Sequence, residues 1–208
     1  MNEPSFRIDA LFPTLIYRAD NAGPEKLTNE LRLLAMELAK TDIAGRRWCG
    51  RNSYPGYTSY GSIDDLCPRF PSFHQLELIV ERHSRAFIKA LHWDVRGARP
   101  YVDSLWVNVL PPGGSHTSHL HTNAVLSGTY YVSATAGAGP IVFEDPRHAM
   151  MMAAPPRKSS APPDMSVYAS VSPEPGMLLL WESWLRHEVA MNRGSEDRIS
   201  VSFNCVLR

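Results

Sequence analysis

"YVDSLWVNVLPPGGSHTSHLHTNAVLSGTYYVS", residues 101–133, is the stretch on which the fold turns. It opens in strict alternation, with Leu105, Val107 and Val109 on one face and Ser104, Trp106 and Asn108 on the other. Successive side chains of a strand point to opposite faces, so this period of two predicts a half-buried strand. Pro111-Pro112-Gly113-Gly114 then breaks the chain, and "VLSGTYYVS" resumes it. Downstream, "GPIVFED", "MSVYASV", "GMLLLW", "HEVAM" and "RISVSFNCV" are short, apolar or alternating, and are separated by Gly, Pro and Asn. Many short strands at near-regular intervals predict a sandwich or barrel rather than a parallel βαβ sheet.

Upstream the period is helical. "LFPTLIYRAD" reads as a short strand with Pro13 suiting an edge. "EKLTNELRLLAMELAK" repeats Leu27, Leu31, Leu34 and Leu38 at helical spacing, with Pro24 at the first helical position. "AGRRWCGRNSYPGYTSYGS" reads as an irregular connection. A second helix is predicted from Ser72, with Gln75 in capping-box spacing and Leu76, Ile79, Val80, Phe87 and Leu91 on its buried face. The expectation is one domain over 1–208, in which 1–100 supplies a strand and supporting helices and 101–208 a β core. Residues 147–164, "RHAMMMAAPPRKSSAPPD", show no strand pattern, and a loop that long often serves as a lid or binding loop.

Composition narrows the function classes. At 208 residues the chain is long enough for one well-buried core. Lys+Arg and Asp+Glu both number 21, so the formal charge is zero, which argues against electrostatic capture of nucleic acid or anionic membrane. Cys49, Cys67 and Cys205 form no C-x-x-C pair, which argues against a zinc ribbon or a disulfide framework and fits a reduced, cytoplasmic setting. "MNEPSFRIDALFPTLIY" has no basic-then-apolar leader pattern. No apolar run approaches the roughly 20 residues that span a bilayer.

Two signals point to chemistry. In a strand, His119 and His121 would share a face and could present two imidazoles to one metal, with His187 as candidate third ligand. Two close histidines also occur at ordinary strand ends, and His116, in a loop-like context, is a weaker candidate. Alternation along "DRISVSFNC" puts Arg198, Ser200, Ser202 and Asn204 on one face, and Ile199, Val201, Phe203 and Cys205 on the other. A guanidinium on a strand suited to burial needs an anion. That anion is either an acidic side chain (Glu144, Asp145 or Glu182) or a ligand carboxylate, which the planar fork of Arg and the Ser200 hydroxyl would suit.

With these residues in place, the chain resembles the iron(II)/2-oxoglutarate-dependent oxygenases, in an uncharacterised branch. The segments that carry the resemblance are "SLWVNVLPPGGSHTSHLHTNAVLSGTYYVS", "GPIVFEDPR", "GMLLLWESWLRHEV" and "DRISVSFN". It implies a double-stranded β-helix, a jelly-roll related in architecture to cupins. It also implies an iron site with a first His at His119 and a distal His at His187, and a 2-oxoglutarate pair at Arg198 and Ser200. The superfamily's His-x-Asp/Glu is here His-x-His, so the usual facial carboxylate is missing. His121 is then the third ligand, as this branch's His-x-His pattern favours; or water fills the position; or Asp145 or Glu182 reaches in. The implied reaction is oxidative decarboxylation of 2-oxoglutarate with O₂ to succinate and CO₂, coupled to hydroxylation of a small molecule or peptide.

Secondary expectations complete the picture. Asn108 and Trp106 are candidates to border the cofactor. Tyr130 and Tyr131 point to opposite faces, so at most one reaches the site. "EDPR" reads as a turn fixing the base of the 147–164 loop, and Met150, Met151 and Met152 form either a buried turn or an apolar surface over substrate. Trp181 and Trp184 read as packing. The exposed amino-terminal helix could pair subunits in a homodimer. The rival functions are a three-histidine cupin-type dioxygenase without 2-oxoglutarate, a jelly-roll binding protein without catalysis, and, more weakly, zinc-dependent hydrolysis. Arg198 separates the first two enzyme readings.

Overall fold

The computed structural model describes residues 6–208, so the first five residues of the amino-terminal stretch lie outside it. The elements run β1 (Tyr17–Ala19), α1 (Glu25–Thr41), α2 (Ile43–Arg51), β2 (Tyr57–Thr58), α3 (Leu66–Arg69), α4 (Pro71–Ala90) and β3 (Pro100–Leu110). They continue with β4 (His116–His119), β5 (Leu126–Ser133), β6 (Ile141–Glu144), β7 (Tyr168–Val171), β8 (Leu178–Glu182), β9 (His187–Val189) and β10 (Arg198–Leu207). The strands form a six-stranded sheet, β1-β8-β5-β10-β3-β2, and a four-stranded sheet, β4-β9-β6-β7. All pairings are antiparallel. Two facing antiparallel sheets with this order make the double-stranded β-helix.

Alternation along the strands sorts side chains into two cores. On β8, Leu178 and Leu180 face the helices, while Leu179 and Trp181 face the second sheet. β5 divides the same way: Tyr130 and Val132 join the helix-side core, and Tyr131 joins Ile141 and Phe143 between the sheets. Ile199, Val201, Phe203 and Cys205 of β10 all enter the helix-side core. The opposite face of β10 is therefore left to Arg198, Ser200 and Ser202, which line a cavity between the sheets.

The helices close the outer face of the larger sheet. Leu27, Leu31, Ala35 and Leu38 of α1 are buried, and Leu34 only partly so. Phe73, Leu76, Val80, Phe87 and Ile88 carry the buried stripe of α4, while Ile79 and Leu91 sit at its margin. Each fully buried Leu or Phe contributes about 1.5–3 kcal/mol of apolar burial, so this layer is a main source of stability.

Several local expectations need correction. Pro24 is the N-cap of α1, in extended conformation, rather than its first helical residue. α4 begins at Pro71, not Ser72: Pro71 takes the first position, where its missing N–H costs nothing, and the Ser72 hydroxyl donates to Glu30 instead of capping. Only Tyr17–Ala19 of "LFPTLIYRAD" is strand, paired to β8 at the sheet edge; Pro13 cannot donate to a ladder and Phe12 has a positive φ of 57°. The stretch expected to be irregular holds α2 and β2. Asp42 caps α2 by accepting from Gly45 N–H at 2.8 Å and also accepts from the Tyr57 hydroxyl at 2.9 Å.

Among the described residues, the three cysteines are free and no helix is long and apolar enough to cross a membrane.

Candidate metal and 2-oxoglutarate site

His119 is the last residue of β4 and stands directly across the ladder from His187, the first residue of β9. His121 lies just past the end of β4, where its backbone N–H donates to Ser183 at 3.1 Å, so the chain is still tethered as it turns away. The pairing of the edge strand β4 with β9 and that tether bring three imidazoles together. Ring centroids are 4.3 Å apart for His119 and His187, 5.2 Å for His119 and His121, and 5.3 Å for His121 and His187. One ligand atom from each ring can be chosen so that all lie within 4.8 Å of one another.

The second nitrogen of each ring decides which atom is free. His119 Nδ1 meets the Thr117 carbonyl at 2.8 Å and His187 Nδ1 meets the Leu185 carbonyl at 2.9 Å. A carbonyl can only accept, so both Nδ1 atoms carry the proton and both Nε2 atoms keep a lone pair. His121 Nδ1 meets Asn204 Oδ1 at 2.7 Å, and its Nε2 is buried with no partner. Three clustered imidazoles, each with its Nδ1 proton fixed and its Nε2 lone pair left free, suit a divalent transition metal. Burial, with the neighbouring imidazoles adding to it, depresses the His187 pKa to about 3. His119 and His121 are lowered too, again chiefly by burial. The rings are therefore neutral at ordinary pH, as ligation demands.

No carboxylate joins this group among the described residues. Asp145 is held by Arg147 at 2.9 Å, and Glu144 lies 3.5 Å from His148. Neither Asp145 nor Glu182 supplies the missing acid. His116, expected in a loop, instead opens β4; its ring stacks on His119 at 4.3 Å and meets Tyr54 edge-on at 5.3 Å. Burial pushes its pKa down to about 4.

Arg198 completes the chamber. It is 2% exposed, and its Nε donates to the Gly139 carbonyl at 3.0 Å. Its Nη1 lies 3.4 Å from the Ser200 hydroxyl, and the guanidinium sits 4.9 Å from the Tyr131 ring centroid. No acidic side chain pairs with it among the described residues, so the ordinary ion pair to Glu144, Asp145 or Glu182 is not formed. A chamber of about 40 Å³ is lined by the histidines at one end and by Arg198 and Ser200 at the other. Asn108 lines it as well, donating to Ser202 at 3.0 Å while its Oδ1 is buried without a partner. Trp106 stacks on His121 at 5.8 Å.

The remaining expectations divide. Tyr131 faces the chamber side, whereas Tyr130 turns to the helices and bonds Thr28. Trp181 is buried, meets His187 edge-on at 4.7 Å and lines the chamber, so it does more than pack. Trp184 is 46% exposed and does not pack in a core, because it falls in the tight turn between β8 and β9. "EDPR" is a turn closed by Asp145 accepting from the Arg147 backbone and side chain. Met150 and Met152 are exposed and line neither cavity, so they form no buried turn. Tyr54, Asn204 and Trp181 were not anticipated as site residues. Alternation did place Asn204 on the Arg198 face, and that was the one available signal.

The fold and chamber define a double-stranded β-helix protein of the non-haem oxygenase type, and comparison with known proteins agrees. Residues 104–204 match the family model described as "Putative 2OG-Fe(II) oxygenase". Among solved structures, a prolyl-4-hydroxylase from Pseudomonas putida aligns with TM-score 0.56 and 15% identity over 94% of this chain and 89% of that one. The epimerase SnoN of nogalamycin biosynthesis aligns with TM-score 0.64 and 11% identity over 93% and 77%. HygX from Streptomyces hygroscopicus, with nickel and 2-oxoglutarate bound, gives 0.59 and 13% over 93% and 83%. At these identities the likeness concerns the fold. No curated protein sequence matches the chain.

Proposed function

We propose that this chain binds iron(II) through His119, His121 and His187, binds 2-oxoglutarate through Arg198 and Ser200, and hydroxylates a substrate with release of succinate and CO₂. One observation carries the reading: a buried guanidinium with no protein anion shares a small chamber with three clustered imidazoles. Leaving a cation buried and unpaired is costly, and a carboxylate arriving from solution relieves it. 2-Oxoglutarate has a carboxylate for Arg198 and, at its other end, an oxo acid able to chelate metal.

Iron, when bound, supplies the redox chemistry with O₂; the chain's own residues do the positioning. Thr117, Leu185 and Asn204 fix the tautomer and tilt of the three rings through their Nδ1 atoms. Arg198, itself anchored by Gly139, orients the far carboxylate, and Ser200 adds a hydroxyl. Trp106 and Trp181 flank His121 and His187 with apolar surface that excludes water from the metal face. Asn108 Oδ1, buried and free, offers an acceptor at the chamber wall.

The test is anaerobic titration of iron(II)-loaded protein with 2-oxoglutarate, followed by calorimetry and visible absorption, with Arg198→Ala in parallel. Saturable binding with a charge-transfer band, weakened by about 100-fold in the variant, is expected. Iron binding without 2-oxoglutarate binding would favour the cupin-type dioxygenase; binding of neither to folded protein would leave a non-catalytic jelly-roll.

A further inference from the structure

Beyond the metal face lies a larger cavity of about 310 Å³, bordered by the same histidines His116, His119 and His121. No Asp, Glu, Lys or Arg lines it. Its wall is aromatic. Trp48 of α2 meets Tyr60 edge-to-face at 6.2 Å, Tyr60 meets Trp106 of β3 edge-to-face at 5.2 Å, and Trp106 lies nearly parallel to His121. This makes a continuous ring surface from the outside, where Tyr60 is 61% exposed, to the candidate metal ligands. The polar groups on the lining are neutral. Asn204 spends its Oδ1 on His121 and Ser127, and its amide N–H groups have no protein acceptor among the described residues. Asn123 makes no side-chain hydrogen bond to the described chain. Trp48, Tyr54, Thr58 and Tyr60 fall outside residues 104–204, so part of this wall comes from the amino-terminal half of the chain rather than from the segment that the family model matches.

We propose that this cavity binds a small uncharged molecule bearing a flat aromatic ring. Its ring packs against the aromatic wall of Trp48, Tyr60 and Trp106, and a hydrogen-bonding group reaches the Asn204 or Asn123 amide. The proposal rests on the iron/2-oxoglutarate reading for what happens to that molecule, but not for its binding. Size and charge both favour it. The volume falls at the small end of the roughly 300–1,000 Å³ typical of small-molecule sites. A cationic ligand would find no carboxylate on the lining. An anionic ligand would find no Lys or Arg there. Cations do stack on aromatic faces, but here the rings pack against one another as a wall and do not box in a point charge. A neutral ring gives up the least hydration and gains the full contact.

The experiment uses protein loaded with manganese(II) and 2-oxoglutarate, with indole, tryptamine and indole-3-acetate as matched neutral, cationic and anionic probes. Binding is read by ligand-observed NMR titration, alongside Tyr60→Ala and Tyr60→Phe. Saturable indole binding is expected, weakened about fivefold by Tyr60→Ala and retained by Tyr60→Phe. Both charged probes should bind at least about fivefold more weakly than indole. Tighter binding of either charged probe, no saturable indole binding, or an unchanged Tyr60→Ala would overturn the proposal. Manganese and 2-oxoglutarate affinities are measured on the same samples. Their loss with indole binding intact would sink the iron reading alone, since the cavity needs neither to hold a ring.

Discussion

Arg198 shows how a single residue can be costly to the fold and useful to the site. Its guanidinium is buried against a backbone carbonyl, a hydroxyl at long range and a tyrosine ring, and none of these carries a negative charge. Replacing buried ion pairs by well-packed apolar side chains of similar volume is often neutral or stabilising by about 1–4 kcal/mol, and a buried cation without an anion has less to lose. Arg198→Met should therefore leave the metal-free protein as stable as wild type or more so in urea unfolding, while 2-oxoglutarate binding collapses. A variant that is both clearly destabilised and still binds 2-oxoglutarate would show that Arg198 is structural. His187→Ala belongs to the same scale. It should lower metal affinity by at least about 10-fold, measured by competition with a chromogenic chelator, whereas the exposed His74→Ala, on α4, should change nothing.

At the scale of elements, α2 is held by its first residue's neighbour. Burial works against charge on Asp42, but hydrogen bonds from Ser62, the Gly45 N–H and Tyr57 outweigh it and hold the carboxyl below its usual range. A depressed folded pKa contributes stability that is present above the unfolded value, about 3.9, and is lost as pH falls through the folded value. Asp42→Asn, which keeps a capping oxygen but loses the charge, should therefore be less stable near pH 7, with the gap from wild type narrowing in denaturant titrations as the pH falls below about 3.9. Gly45→Ala attacks the same cap sterically, since a Cβ there would collide with the Asp42 carboxylate. This helix was illegible in the sequence for a physical reason. "IAGRRWCGR" has two glycines and no apolar stripe at helical spacing, so its stability comes from the Asp42 cap and from contact with β2 rather than from periodicity. Where burial itself imposes the period, as in the Leu stripe of α1 or the alternation of β3 and β10, the sequence was readable. The site divides along the same line. His119, His187 and Arg198 sit at positions fixed by strand alternation, whereas Tyr54, Tyr60 and Trp48 reach the cavity from a segment with no period to read.

Across the whole molecule, the candidate metal site bridges β4, β9 and the turn that carries His121. Neither hydrophobic core includes His119, His121 or His187. A metal there would clamp β4 to β9 and both to the turn carrying His121, which Asn204 in turn ties to the larger sheet. The fold should thus persist without metal, because both cores remain, but at reduced stability. Metal at 100 times its dissociation constant adds about 2.7 kcal/mol. For a chain of this size that corresponds to roughly 5–10 °C in Tm. Calorimetry of the metal-free protein and of protein with excess manganese(II) should show that shift at unchanged far-ultraviolet circular dichroism. The shift should disappear in a His119→Ala, His187→Ala double variant. An equal shift in that variant would place the metal elsewhere, and with it would go the argument that three imidazoles, and no carboxylate, hold the reacting end of this cavity.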